Sequence, residues 1–186
     1  MVNIKGHFKI DALDKDGKII DTYEHKNTIM DTGRYNLMSF LRNGTTSNTT
    51  APIGKFVLGT GGYDGGNSPA VYQSNRTNTF SEATGQEFYE LNFTVDNLGN
   101  TTVTNEEGNP AIKSVVTVTQ NNGTFTVEYR FQIPESNANG TGLREYNEAA
   151  LYLAEPANTI FSMLTFPTRA KDNTIDYDIT WSITFG

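Results

Sequence analysis

The sequence predicts a mainly β fold, an antiparallel β-sandwich or jelly-roll-like domain with one short helix near residues 32–42. Three observations carry this expectation. Large residues recur at two-residue spacing in two runs: Phe125, Val127, Tyr129 and Phe131, then Ile175, Tyr177, Ile179, Trp181, Ile183 and Phe185. That alternation marks strands with one buried and one wet face. Asn and Thr supply 20 and 26 of the 186 residues, and Asn-Gly and Asn-Thr pairs fall mostly between apolar segments. Asn there bonds its own backbone in turns, while Thr fits the pleated surface of a strand. Eleven Phe and nine Tyr place much of the apolar content in large side chains suited to sheet packing.

Taken in order, the chain opens with a hairpin. Phe8 and Ile10 alternate with polar neighbours, Asp14-Lys15-Asp16-Gly17 makes a turn, and Lys18 to Tyr23 returns. A helix is expected from about Thr32 to Arg42, capped by Asp31 or Thr32, with Leu37, Met38 and Leu41 on one side. Ile53 to Leu58 is a strand leading into Gly59-Thr60-Gly61-Gly62. Phe88 to Val95 is another, and Lys113 to Ile133 forms a hairpin turning at Asn121-Asn122-Gly123. Ser136 to Gly142 is a polar loop. Ala149 to Leu153 and Ile160 to Phe166 are apolar strands, and the Trp181 strand closes the fold. The total is seven to nine strands and one helix. With 186 residues and no linker-like stretch, residues 1–186 read as a single domain.

Composition excludes several functions. The net charge is −7, and the 14 Lys and Arg residues are dispersed, which argues against direct nucleic-acid binding. There is no cysteine, hence no disulfide or thiolate chemistry. MVNIKGHFKI lacks the apolar run of a signal peptide, and no segment reaches membrane-spanning length, so no membrane insertion is expected. The Asn-x-Thr tripeptides at Asn48, Asn75, Asn92, Asn100, Asn122 and Asn139 then follow from the richness in both residues rather than from glycosylation.

Candidate chemistry is sparse. Asp14, Asp16 and Gly17 resemble the start of a calcium loop, but its twelfth position is His25 instead of a carboxylate. The Gly59–Gly62 cluster lacks the Gly-Lys-Ser/Thr ending and following helix of a phosphate-binding loop. His7 and His25, near opposite ends of the first hairpin, form no metal-ligand pattern. The carboxylate pairs Glu106-Glu107, Glu145 with Glu148, and Asp176 with Asp178 are the places where glycoside chemistry would need two facing carboxyl groups. Glu145 and Glu148 can meet on a helical turn or pair with Arg144, and Asp176 and Asp178 share the wet face of the last strand. Tyr63, Tyr72 and Tyr89 lie in or near loops, where they either stack on sugar rings or anchor the loops. The sequence therefore assigns no catalytic, cofactor-binding or metal residues and no cofactor, and the chain is read as a non-enzyme.

Two stretches carry a resemblance. KNTIMDTGRYNLMSFL, followed by IGKFVLGTGG and SPAVYQSN, resembles the opening of small β-sandwich virion structural proteins of tailed bacteriophages. In those proteins an Asn-x-Ile/Val-x-x-x-Gly segment leads to a helix, then to a strand ending in a Gly-Thr-Gly turn and a loop with a proline. VEYRFQIPESNANGTGLREYNEAALYL and NTIFSMLTFPTRAKDNTIDYDITWSITF are similar to the family's second half: a glycine-to-glutamate element, a Leu-Tyr/Phe strand, a Phe-Pro segment, a Lys with a polar turn, and a final strand with Trp. The resemblance covers roughly residues 24 to 185. It implies a structural subunit mediating assembly at the collar, neck, tail or fibre base, with other virion proteins and copies of itself as partners. Its place is then the virion, assembled in the bacterial host cytoplasm. No fibre shaft or coiled coil extends the chain, so a compact decorating or joining subunit is expected. Contacts between subunits are expected at Thr45 to Ala51, Gly59 to Pro69 and Ser136 to Gly142, or through an N-terminal arm, Met1 to Lys5, added to a neighbouring sheet. The alternative is a β-domain that binds carbohydrate, such as a host surface glycan, or another host receptor.

Overall fold

The computed structural model describes residues 3–43, 53–63, 68–84, 88–95, 101–105, 112–139, 142–154 and 159–186. Among them the chain forms ten antiparallel strands and two short helices. The order is β1 (Ile4–Leu13), β2 (Ile19–Ile29), α1 (Asp31–Asn43), β3 (Ile53–Gly59), α2 (Phe80–Thr84), β4 (Phe88–Val95), β5 (Thr101–Asn105), β6 (Ile112–Asn121), β7 (Thr124–Ile133), β8 (Arg144–Leu153), β9 (Ile160–Lys171) and β10 (Asp176–Phe185). The mainly β expectation therefore holds, with β5 and α2 as additions. No described helix is long and apolar enough to cross a membrane.

The chain gathers into two compact units. One comprises Met1–Asn27, Ala111–Glu145 and Ala170–Gly186, and the other Thr28–Pro110 and Tyr146–Arg169. Three of the four divisions fall inside β2, β8 and β9.

In the first unit the strands lie in the order β2-β1-β10-β7-β6. The registers align one apolar face. Phe8 sits opposite Trp181, Trp181 opposite Tyr129, and Ile179 opposite Ile10 and Phe131. Trp181 is fully buried, edge-on to Phe8 at 5.1 Å. Aromatic pairs favour this geometry because a ring's positive edge meets a negative face. Lys9, Asp11, Asp178, Thr180, Glu128 and Arg130 fall on the opposite, polar face. Asn122 (φ 46°) and Gly123 (φ 79°) form the two-residue β6–β7 turn with positive φ at both centres, which suits the right-handed twist of the hairpin. The Asp14 turn forms as expected: its carboxylate accepts from the amides of Asp16 and Lys18 at 3.0 and 2.9 Å. The N-terminal arm is not free over Asn3 to Lys5. Asn3 exchanges backbone bonds with Gly186 at 2.8 and 3.0 Å, and Ile4 and Lys5 pair with Phe185 and Thr184.

In the second unit the order is β5-β4-β3-β8-β9, with Thr28 and Ile29 of β2 pairing beside β9. β3, β8 and β9 carry consecutive buried residues (Phe56–Gly59, Tyr146–Leu153 and Ile160–Leu164), so both their faces are covered. Met30, Val57, Ala150, Tyr152, Ile160 and Met163 form a core cluster against which Tyr72 and Phe80 pack. α1 starts one residue before the expected Thr32. It meets β9 through its first turn: Thr32 Oγ1 donates to the Ile160 carbonyl at 3.0 Å. A Cβ on Gly33 would collide with the Phe161 carbonyl oxygen and lie 2.8 Å from Phe161 Cα, so only glycine permits this approach. The expected apolar side of the helix needs correction, since Met38 is 55% exposed; the side chains of Leu37 and Leu41 lie outside the described residues.

Candidate functional site

The densest polar cluster surrounds Glu148 in the second unit. The half of β8 preceding Ala149 is polar, yet Asn147 and Glu148 are buried there. Glu148 is 0% exposed and receives the start of α2. Phe80 N donates to Oε2 at 2.8 Å, and Ser81 N donates to Oε1 at 2.6 Å. Ser81 Oγ donates to Oε1 as well. These donors replace the water that a buried carboxylate loses. Burial still dominates and raises the Glu148 pKa, against lowering by the Ser81 hydroxyl and amide, the Phe80 amide and the Arg76 charge.

α2 has only five residues, and its sequence explains its start. Thr79-Phe80-Ser81-Glu82 is a capping box: Glu82 N donates to Thr79 Oγ1 at 3.2 Å, and Thr79 N donates back to Glu82 Oε2 at 3.3 Å. Tyr152 OH also donates to Glu82. Lys55 links this carboxylate to β4, with Nζ 3.6 Å from Glu82, 2.8 Å from Glu90 and 4.7 Å from the Tyr152 ring centre.

The Gly59–Gly62 turn wraps the same helix start. Gly61 N donates to Ser81 Oγ at 2.8 Å, and Gly62 N donates to Asn147 Oδ1 at 2.7 Å. A Cβ on Gly59 would strike Ser81 Oγ and lie 2.7 Å from Glu148 Oε1. The glycines thus make room for a carboxylate belonging to the chain itself rather than for a phosphate. Both oxygens of Glu148 accept from the start of α2, so the group clasps this helix to β8. Gly59→Ala is expected to lower stability by about 1–3 kcal/mol through overpacking, read as a shift of the urea-unfolding midpoint.

A second feature is a groove of about 580 Å³ on the polar face of the first unit, lined by Lys9, Asp11, Glu128, Arg130, Asp178 and Thr180 among others. Its charges are largely satisfied internally. Lys9 Nζ meets Asp11 Oδ2 at 2.6 Å, Thr22 Oγ1 donates to Asp11 Oδ1 at 2.6 Å, and Ser182 Oγ donates to Glu128 Oε2 at 3.3 Å.

The third is Lys171, fully buried at the end of β9. Its Nζ donates to the Pro134 carbonyl at 2.9 Å, Asn139 Oδ1 at 3.0 Å and the Asp172 carbonyl at 3.3 Å. Burial lowers its pKa to about 8, against the raising influence of Asp176, Asp172 and Glu135. Asp172 is held below the usual carboxylate range by the Thr174 hydroxyl and amide.

No family model, curated protein or solved structure matches the chain.

The residues singled out in the sequence scatter over these features. His7 and His25 do not occupy opposite ends of the hairpin. His7 pairs with Lys26 and His25 with Phe8, one register step apart, so their side chains take opposite faces of the sheet. Glu145 and Glu148 lie on a strand, with no helical turn between them; Glu145 is exposed and Glu148 buried. Asp176 serves the turn after β7, accepting from Glu135 N at 2.5 Å and Gln132 Nε2 at 3.2 Å, while Asp178 lines the groove. Glu106 and Glu107 lie outside the described residues. Tyr63 OH accepts from Thr168 N at 2.8 Å, and Tyr72 OH donates to the Met163 carbonyl at 2.6 Å, so both anchor their loop. Tyr89 is on β4, opposite Leu58. Among the described residues no group of three or more His, Asp or Glu is placed to hold a metal ion. Lys171 and the Thr79–Glu82 box were the features sequence reasoning missed, although the Thr-x-x-Glu spacing was visible.

Proposed function

We propose that the chain is a structural subunit of a tailed-phage virion, joining other virion proteins and copies of itself by sheet-edge contacts rather than by catalysis. The observation that supports this reading most is the edge strand β6, which pairs with β7 alone among the described strands. From Val116 to Asn121 it carries neither charge nor proline, and Val118 is 69% exposed. Proteins that keep such an edge solvated usually blunt it with charges, prolines or bulges. Beyond Lys113 and the irregularity between Ile112 and Val115, this run of Val and Thr suits strand addition by a neighbour. Phe125, 45% exposed on the adjacent strand, extends the apolar margin. The segments that resemble virion proteins add support, because Gly33 and the Gly59–Gly62 turn serve packing. In this reading the domain is a β-sandwich, which an amphipathic sheet like that of the first unit calls for.

Of the loops expected as contacts, Thr45 to Ala51 lies outside the described residues, as do residues 64–67 and 140–141 of the other two. The β6 edge is therefore the surface to test. Asn121 and Thr124 flank a two-residue turn and form a hydrogen-bonded pair, so by alternation the Val118 N–H points away from β7. Val118→Pro should leave the ladder intact and block an added strand. Native mass spectrometry across a concentration series should find a defined oligomer for the natural chain and a folded monomer for Val118→Pro. A natural chain that stays monomeric throughout counts against the reading. Glycan-array binding by that monomer would favour the carbohydrate-binding alternative.

A further inference from the structure

Lys171 presents an amine to a carboxamide inside the first unit. Its three donated hydrogen bonds fix Nζ between two backbone carbonyls, Pro134 and Asp172, and the side chain of Asn139. The third acceptor differs from the others because its nitrogen is a primary amide that can leave as ammonia without breaking the backbone. We propose that Lys171 and Asn139 join in an intramolecular isopeptide bond between Nζ and Cγ, with loss of ammonia.

The geometry supports the step in four ways. Nζ lies 3.0 Å from Asn139 Oδ1. Adding one C=O length of about 1.2 Å places Cγ at most roughly 4.2 Å from the amine, a short move from an attack distance of about 3–3.5 Å. Asn139 Nδ2 donates to the Glu135 carbonyl, which orients the carboxamide with its oxygen toward the lysine. The amine is 0% exposed, so water does not compete with it. Finally, its lowered pKa of about 8 leaves about one amine in ten neutral near pH 7.

Three carboxylates act on the amine: Asp176 most strongly, then Asp172 and Glu135. Asp176 is held beside the loop by Glu135 N and Gln132 Nε2. No ion pair joins it to Lys171 among the described residues, so in the proposed step the carboxylate closes on the amine before it accepts a proton from the ammonium of Lys171. The freed lone pair attacks Asn139 Cγ, forming the C–N bond and a tetrahedral carbon. The bond from Cγ to Nδ2 then breaks, and the nitrogen leaves as ammonia after taking the second amine proton. The proton on Asp176 passes to that ammonia, so the balance is one ammonium and one carboxamide converted to one secondary amide and one ammonium ion. No oxidant or added reactant enters.

The bond is independent of the assembly reading and is tested on the full natural chain. Intact mass in denaturant should fall below the sequence mass by one ammonia. Trypsin should leave Lys171 uncut, within a branched peptide that joins it to the peptide holding Asn139. Asn139→Ala and Asp176→Asn should each show their full sequence mass and cleavage at Lys171, with folding checked by circular dichroism. Asn139 precedes Gly140, so a succinimide there would lose ammonia too. That outcome, with Lys171 still cleaved, overturns the proposal, and so does a natural chain of full sequence mass.

Discussion

Trp181→Ala is expected to destabilise the protein by about 3–5 kcal/mol, the largest effect of any single substitution considered. The indole is fully buried at the centre of the first unit, with Phe8 and Tyr129 opposite it on the neighbouring strands. Truncation removes most of its apolar area from the core and leaves a void that β1, β10 and β7 cannot close without shifting their registers. Urea unfolding followed by circular dichroism reads the loss directly. A change below about 1 kcal/mol would mean that the apolar face collapses freely around the gap. Trp181→Phe keeps part of the volume and the edge contact with Phe8, and should recover more than half of the loss.

Glu148→Ala should cost about 3–4 kcal/mol for a different reason. It leaves the buried Ser81 amide and the part-buried Phe80 amide without their acceptor and opens space under the Gly59–Gly62 turn. For a chain of this length that corresponds to a fall in Tm of roughly 6–16 °C. Glu148→Gln keeps one acceptor and should lose about 1–2 kcal/mol. The comparison also reads the titration. The Glu148 pKa is raised in the folded protein, chiefly by burial, so the folded state holds its proton to higher pH than the unfolded chain does. The associated stability is fully present below the unfolded pKa and is lost as pH rises through the raised folded pKa. The stability advantage of the natural chain over Glu148→Gln should therefore shrink as pH rises above the unfolded carboxyl value of about 4. A gap that widens instead would mean that the donors outweigh burial.

How much of this was legible depended on whether a strand keeps one wet face. β10 and the β6–β7 hairpin do, so Tyr177, Trp181, Tyr129 and their neighbours announce themselves by spacing. β8 is covered on both faces, and its first half contains Asn147 and Glu148. Their polarity, which left a helical turn open there, hides the strand because the groups that replace water, the Phe80 and Ser81 amides, lie far away in sequence. β5 offers a single apolar residue, Val103, and α2 is too short for helical periodicity to register. Lys171 sits in Arg169-Ala170-Lys171-Asp172, a stretch with the composition of a solvated turn. Its burial depends on carbonyls more than thirty positions earlier, which no local pattern reveals. Of the candidate sites, the sequence located the glycine turn but not its occupant.

The place of β10 between β1 and β7 also bears on how the chain acquires its structure. The last strand in sequence fills the middle of the first unit's sheet. Until it arrives, the β1–β2 and β6–β7 hairpins can each form locally but cannot join. Their inner margins, Ile4 to Leu13 and Phe125 to Ile133, meanwhile remain open to wrong partners. Joining the two hairpins thus requires β10 to make contacts of high sequence separation, the kind that slows folding. The alternating Asp176, Asp178, Thr180, Ser182 and Thr184 also limit the apolar surface that this strand offers before it pairs.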